Sequence, residues 1–155
     1  MSFDVVIPTL GKSPCLDNLI TWLLKENPCN IFLVGNSEKT YKDVTFVKSR
    51  KGYSNSVNKA VSLCSSEYVL IVNDDIRPIK GSVQSLVKEI ESDNNIFSVT
   101  PKIKTQKDNK VINESLVGLK LKNGRPWPTY NTNPPEYPNG AIFLVRNDSW
   151  KKLKG

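Results

Sequence analysis

The chain has 155 residues, 38% apolar and 24% charged, which suits one water-soluble domain with its own core, and no window holds the ~18 uninterrupted apolar residues a membrane span needs. It has no histidine and three scattered cysteines, Cys15, Cys29 and Cys64. That excludes Ser-His and Cys-His nucleophiles, argues against a zinc site, and leaves carboxylates or lysine as the available general bases.

The N-terminus MSFDVVIPTL has no basic stretch ahead of its apolar residues, so no secretory signal is expected and the cytoplasm is the simplest compartment. Phe3 to Ile7 predicts a buried strand ended by Pro8. Ser13 and Pro14 read as an N-cap and first helical residue, and Leu16, Leu19, Ile20, Leu23 and Leu24 predict a helix to about Asn27. Strands are expected at Ile31–Val34 and Val44–Val47. A helix capped by Ser54 should bury Val57, Ala60, Val61 and Cys64, and a strand at Tyr68–Val72 follows. Val83, Leu86, Val87 and Ile90 mark another helix, before a strand at Ile96–Thr100.

The segment from Lys102 to Pro138 is Lys- and Pro-rich, with one or two short strands expected in Val111–Leu121 and a turn at Asn123-Gly124. A strand at Ala141–Val145 and a short helix capped by Asp148 or Ser149 end the chain. This succession predicts an α/β fold with a mainly parallel central sheet and helices on both faces. The net charge of +7 is spread along the chain, with concentrations at Lys102, Lys104, Lys107, Lys110, Lys120 and Lys122 and at Lys151, Lys152 and Lys154. Such charge keeps a protein in solution and also suits anionic substrates or peripheral contact with an anionic membrane face. No nucleic-acid module motif accompanies it, so no specific nucleic-acid partner is expected.

Chemistry concentrates in Val69 to Pro78, VLIVNDDIRP. Four apolar residues predict a strand buried on both faces, and Asn73, Asp74 and Asp75 follow where it would meet solvent. Ligands of open α/β sheets bind outside the carboxyl ends of strands. Adjacent carboxylates there repel, and a divalent cation is one way to relieve that. A helix cap or a solvated turn is the other reading of the same residues. The aromatics Trp127, Tyr130 and Tyr137 suit stacking on sugars, and equally suit packing among prolines.

VVIPTL, KGYSNSVNKA, VLIVNDD and NGAIFLVRNDSWKKLKG, in that order and spacing, resemble the family 2 nucleotide-sugar glycosyltransferases. The resemblance spans nearly the whole chain and implies a Rossmann-like GT-A fold in a single domain, with a donor-binding half over 1–100 and an acceptor-side half over 101–155. It implies an inverting, metal-dependent transfer of a sugar from a UDP, GDP or dTDP donor to a sugar, lipid-linked or protein acceptor. A non-catalytic or truncated nucleotide-sugar-binding module of the same fold is the alternative. A nucleotidyltransferase shares the architecture but has a Gly-rich loop with a basic residue after the first strand, where this chain has only Gly11 and Lys12.

On this resemblance Pro8 and Thr9 lie against the donor nucleoside. Gly35 or Asn36 stands where an acidic residue commonly reads the base or ribose. Arg50, Lys51, Gly52 and Asn58 fall at the segment that approaches the donor. Asp75 is the Mn²⁺ or Mg²⁺ ligand, Asp74 bonds the ribose or assists the metal, and Asn73 replaces a frequent Asp. Trp127, Tyr130, Asn139 and Gly140 fall on the acceptor side. The family's general base usually lies beyond the position of Gly155. Within the chain Glu136 is the candidate base, since Asp148 reads as a helix cap.

Overall fold

A computed structural model of the chain describes residues 2–37, 39–49, 52–107, 110–113, 117–130 and 139–153. The strands are β1 (Phe3–Thr9), β2 (Asn30–Gly35), β3 (Thr45–Lys48), β4 (Tyr68–Val72), β5 (Ser98–Val99), β6 (Lys104–Lys107), β7 (Lys110–Asn113), β8 (Val117–Lys122), β9 (Arg125–Tyr130) and β10 (Ile142–Arg146). The helices are α1 (Leu16–Lys25), α2 (Tyr53–Val61), α3 (Ser82–Ser92) and α4 (Asn147–Lys152). Six strands form the central sheet in the order β3-β2-β1-β4-β10-β5. β3, β2, β1 and β4 run parallel, and β10 is antiparallel to both β4 and β5. The expected α/β fold, a mainly parallel sheet with helices on both faces, is the one present. A strand from the last part of the sequence completes the sheet begun by the first hundred residues.

Alternation along the strands sorts the core into two layers. Phe3, Val5 and Ile7 pack with Leu16, Leu19, Ile20 and Leu23 of α1 and with Val83, Leu86, Val87 and Ile90 of α3. Val6 points the other way, to Val57, Ala60 and Val61 of α2 and to Trp150 of α4. β1 is buried at every residue, as a central parallel strand must be.

Several boundaries differ from the sequence expectation, each for a local reason. β1 runs through Pro8 to Thr9. The Phe3 and Thr9 carbonyls bond toward β2, so the missing N–H of Pro8 falls on the β4 side, where pairing has already ended at Val6↔Ile71. α1 begins at Leu16, two residues after Pro14. The Ser13 hydroxyl still closes the entry turn, accepting from the Cys15 N–H at 3.2 Å. Its end falls short of Asn27, whose φ of 53° is left-handed.

α2 is entered through Gly52, not Ser54. The Gly52 backbone, at φ 84°, accepts the Ser56 N–H at 3.1 Å. α4 starts one residue earlier than Asp148, behind Arg146. Asp148 lies inside the first turn, where it accepts the Ser149 N–H at 2.7 Å and pairs with Lys152 at 3.3 Å. β5 keeps only two of the five expected residues, because it pairs with β10 alone, as Leu144↔Val99 and Val145↔Ser98. Next to it the Arg146 guanidinium donates to the Ile96 and Ile90 carbonyls, at 2.9 and 2.6 Å, and so caps the end of α3.

The Lys- and Pro-rich segment forms two hairpins, β6–β7 and β8–β9. Asn123 and Gly124, at φ 52° and 71°, turn the second, as the Asn-Gly pair predicts. Among the described residues no helix is long and apolar enough to cross a membrane.

Candidate functional site

The parallel strands deliver their carboxyl ends to one edge of the sheet, and a cleft of about 710 Å³ opens there. Of the residues singled out in the sequence, Pro8, Thr9, Asn36, Gly52, Asn73, Asp74 and Asp75 line it. They come from the ends of β1, β2 and β4 and from the start of α2.

The floor is set by backbone contact between the loops after β1 and β2. The Asn36 N–H donates to the Thr9 carbonyl at 3.2 Å. At Gly35, φ is 138° and a Cβ would sit 2.0 Å from that same carbonyl oxygen. No side chain fits there, and Asn36, the residue after β2, lines the cleft beside it. Gly11, at φ 76°, likewise lies against Asn36.

Asp74 is held from two sides. The Thr9 hydroxyl donates to its Oδ2 at 2.5 Å while accepting the Gly11 N–H at 2.8 Å. The Ser13 hydroxyl donates to the Asp74 carbonyl at 2.7 Å. These bonds tie the β1 loop to the end of β4 and, among the described residues, leave Asp74 one uncommitted carboxylate oxygen. Asp75 is exposed, and its carboxylate has no partner among the described residues. Asn73 is fixed through its backbone, whose N–H donates to the Ala141 carbonyl at 2.8 Å, but its Oδ1 is buried with no hydrogen-bond partner among the described residues. An unmatched buried acceptor is costly, and this one belongs to a residue lining the cleft.

The far wall uses residues the sequence reading passed over. Ser56 donates to Ser49 at 2.8 Å, and both line the cleft. The Tyr53 hydroxyl donates to the Gly140 carbonyl at 3.0 Å, and burial raises the Tyr53 pKa above its ordinary value. This bond sets the Asn139-Gly140-Ala141 step against Tyr53, outside the residues that line the cleft, and Asn139 Oδ1 accepts the Ala141 N–H at 2.9 Å. Lys12 and Ser13 complete the mouth. Short polar residues in loops carry no periodic signal, and only the meeting of four loops shows their use.

Outside the cleft, Asp17 of α1 holds the segment that follows Asn36. It accepts from Lys39 Nζ at 2.9 and 3.0 Å and from the Tyr41 hydroxyl at 2.6 Å. The Tyr41 bond, with Lys39 next, lowers the Asp17 pKa, while burial and Asp17 raise that of Tyr41.

Other candidates lie apart. Asn58 is half-buried on α2 and does not line the cleft. Trp127 is on β9, 60% exposed and away from the cleft lining. Tyr130 ends β9. Arg50, Lys51, Glu136 and Tyr137 lie outside the described residues.

Among the described residues no three His, Cys, Asp or Glu side chains gather. The donor set is instead Asp75 beside an anchored Asp74, two carboxylates in no ion pair among the described residues. That fits Mg²⁺ or Mn²⁺, which take oxygen ligands and often use one or two carboxylates with substrate phosphates.

Comparison with known proteins accords with this geometry. Among solved structures, the S. aureus protein TarS (residues 1–349) matches with a TM-score of 0.68 at 14% identity, over 99% of this chain and 49% of that one. A mannosyltransferase of Pyrobaculum calidifontis, PcManGT, solved with GDP-Man and Mn²⁺, matches at 0.64 and 13% identity, over 99% and 46%. The chain thus spans about half the length of these two neighbours. The 2-C-methyl-D-erythritol 4-phosphate cytidylyltransferase of Thermus thermophilus matches at 0.58 and 12% identity, over 99% and 75%. At these identities the likeness is one of fold. No curated protein matches the sequence as a relative. Residues 4–148 match Glycosyl transferase family 2, which covers the sheet, the cleft and the Asn-Asp-Asp segment, and the chain belongs to that family.

Proposed function

We propose that the cleft binds a nucleotide-diphosphate sugar and that the protein transfers the sugar, with inversion, to an acceptor hydroxyl. The observation that carries this reading is the Thr9–Asp74–Ser13 network. It immobilises one carboxylate at the end of β4 and leaves its neighbour, Asp75, open to the cleft. Family membership and GT-A neighbours support the same reading.

In this proposal Pro8, Thr9 and Asn36 bound the nucleoside pocket. Asn36 can both donate and accept, so it suits bases that an acidic residue would reject. Arg50, Lys51, Gly52 and Asn58 belong to the segment on the donor's far side, and Lys12 at the mouth offers a cation to the diphosphate. The unmatched Asn73 Oδ1 is positioned to accept from a donor hydroxyl, and Asp74 serves the same end of the nucleotide. Asp75, assisted by Asp74, would hold a divalent cation. Such an ion offsets negative charge on a departing diphosphate.

On the acceptor side stand Asn139 and Gly140, with Tyr130 and Trp127 in the same half of the sequence. The acceptor oxygen attacks the anomeric carbon from the face opposite the diphosphate. The carbon–oxygen bond to the β-phosphate breaks with its electron pair leaving on the diphosphate, and the acceptor proton passes to a carboxylate, for which Glu136 is the candidate. The protein's contribution is chiefly positioning and charge placement. The free thiols Cys15, Cys29 and Cys64 accord with a cytoplasmic location.

A second reading rests on the chain's span of about half its neighbours' length: a module that binds the donor without transferring it. Nucleotidyl transfer is disfavoured, because the Gly11 N–H that a phosphate-cradling loop would offer is already bonded to Thr9.

The test is calorimetric titration of UDP-, GDP- and dTDP-sugars with Mn²⁺, Mg²⁺ or EDTA. One donor class should bind in a metal-dependent way, and Asp75→Asn should remove that dependence. Product analysis on the same sample then separates the enzyme from the binding module. Metal-independent binding that is unchanged in Asp75→Asn would sink the assignment.

A further inference from the structure

The β8–β9 hairpin is built unlike the rest of the chain. Its base is embedded, with Gly118 buried and Thr129 half-buried, but every residue from 119 to 128 is exposed. The register gives the ribbon two different faces. Lys120↔Trp127 and Lys122↔Arg125 share one, while Leu119↔Pro128 and Leu121↔Pro126 share the other. Leu121 is 79% exposed and Trp127 60%. A two-stranded ribbon with no covering layer is marginal in water, and among the described residues the large apolar side chains of this one stay mostly exposed.

The charge of the segment is one-sided. From Val117 to Tyr130 the sequence holds Lys120, Lys122 and Arg125 and no acidic residue. Lys122 and Arg125 flank the Asn123-Gly124 tip directly, with Leu121 and Pro126 next to them. An apolar wedge, an aromatic ring and a collar of cations thus occupy one protrusion.

We infer that the β8–β9 hairpin docks the protein, tip first, on an anionic lipid surface. Leu121 and Pro126 enter the boundary between headgroups and acyl chains. Trp127 lies at headgroup level, with its apolar body inward and its indole N–H toward water. Lys120, Lys122 and Arg125 meet the lipid phosphates and carboxylates, while their methylene stems follow the apolar surface. A soluble anion or an RNA would satisfy the cations yet leave Leu121 in water. A second copy packed on a two-fold axis would set each cation cluster against its own duplicate. Docking through this hairpin is independent of the cleft and gives Trp127 a use away from it.

The test is co-sedimentation of the full chain with vesicles of phosphatidylcholine alone and of phosphatidylcholine mixed with phosphatidylserine. The protein should sediment only with the anionic vesicles, less as salt rises, and Trp emission should shift blue in the wild type but not in Trp127→Phe. Each cation near such a surface is worth roughly a fivefold change in partitioning, so Lys120→Glu with Lys122→Glu and Arg125→Glu should weaken binding more than about 100-fold. Leu121→Ser should weaken it about tenfold. Circular-dichroism melting checks that the variants fold. The salt titration and the single change Lys122→Gln, about fivefold weaker, keep the test valid should the triple variant fail. Equal sedimentation with neutral vesicles, binding indifferent to charge reversal, RNA binding that needs the cations but not Leu121, or self-association lost in Leu121→Ser would each overturn the proposal.

Discussion

Two acidic sites occupy opposite ends of the same parallel strands and are built on opposite principles. Asp4, at the start of β1, is fully buried. It accepts from the Ser65 N–H at 2.8 Å, the Ser66 N–H at 2.9 Å and Asn30 Nδ2 at 2.8 Å. The carboxylates of Asp74 and Asp75, at the carboxyl end of β4, accept one hydrogen bond between them among the described residues, from Thr9, and Asp75 is exposed. Satisfying a buried carboxylate on every side makes it structural, since nothing remains for a ligand. Anchoring one carboxylate and leaving its neighbour open makes a site that can take up a cation and a phosphate. The difference lies in strand direction. The N-terminal edge is closed by the turn before β4, whereas the carboxyl edge fans out into loops.

That contrast can be broken most forcefully at its foundation. Asp4→Ala would strand two backbone N–H groups and an amide in the core, and should cost about 2–4 kcal/mol in chemical denaturation. Asp75→Ala should change stability by less than about 0.5 kcal/mol while removing metal-dependent donor binding. If Asp75→Ala destabilises as much as Asp4→Ala, the two sites are of one kind.

Gly35→Ala comes next, at about 2–3 kcal/mol, because the new methyl meets the Thr9 carbonyl at 2.0 Å. The same melting experiment should show donor binding weakened along with stability, since Asn36 moves with the loop. A smaller effect is expected from Thr9→Val. Losing the hydroxyl bridge between Gly11 and Asp74 should cost about 1 kcal/mol, and metal-dependent binding should weaken more than metal-free nucleotide binding.

The pH dependence sharpens the comparison further. Burial pushes the Asp4 carboxyl up, but the bonds from Ser66, Asn30 and Ser65 outweigh it and hold the pKa below its ordinary 3.8. A folded-state pKa below the unfolded one contributes stability that is present above pH 3.8 and lost as pH falls through the lower folded value. Acid unfolding should therefore lose part of its steepness in Asp4→Asn, measured against wild type at matched ionic strength. The smallest effect belongs to Tyr41→Phe. Removing its bond to the exposed Asp17 should shift stability by less than the Thr9 change does, because solvent screens the pair, and should raise the donor Kd modestly through the segment after Asn36.

The continuous apolar runs of β1 and β4 and the helical spacing of Leu16 through Leu24 and Val83 through Ile90 determined the layers of the fold, because burial imposes those patterns on sequence. The Asn-Gly turn of the β8–β9 hairpin and the Asn-Asp-Asp end of β4 were legible for the same reason: each is a local rule of chain geometry. The caps at Gly52 and Arg146 and the two-residue β5 were not, because neighbouring strands decide where an element stops. Nor was the exclusion of any side chain at Gly35, which depends on a carbonyl 26 residues earlier lying 2.0 Å from a Cβ that does not exist. The use of Ser13, Ser49, Tyr53 and Ser56 at the cleft was likewise hidden. A hydroxyl acquires its role from the partner that tertiary structure brings to it, as Thr9 does from Asp74 across 65 residues, and no pattern along the chain encodes that meeting.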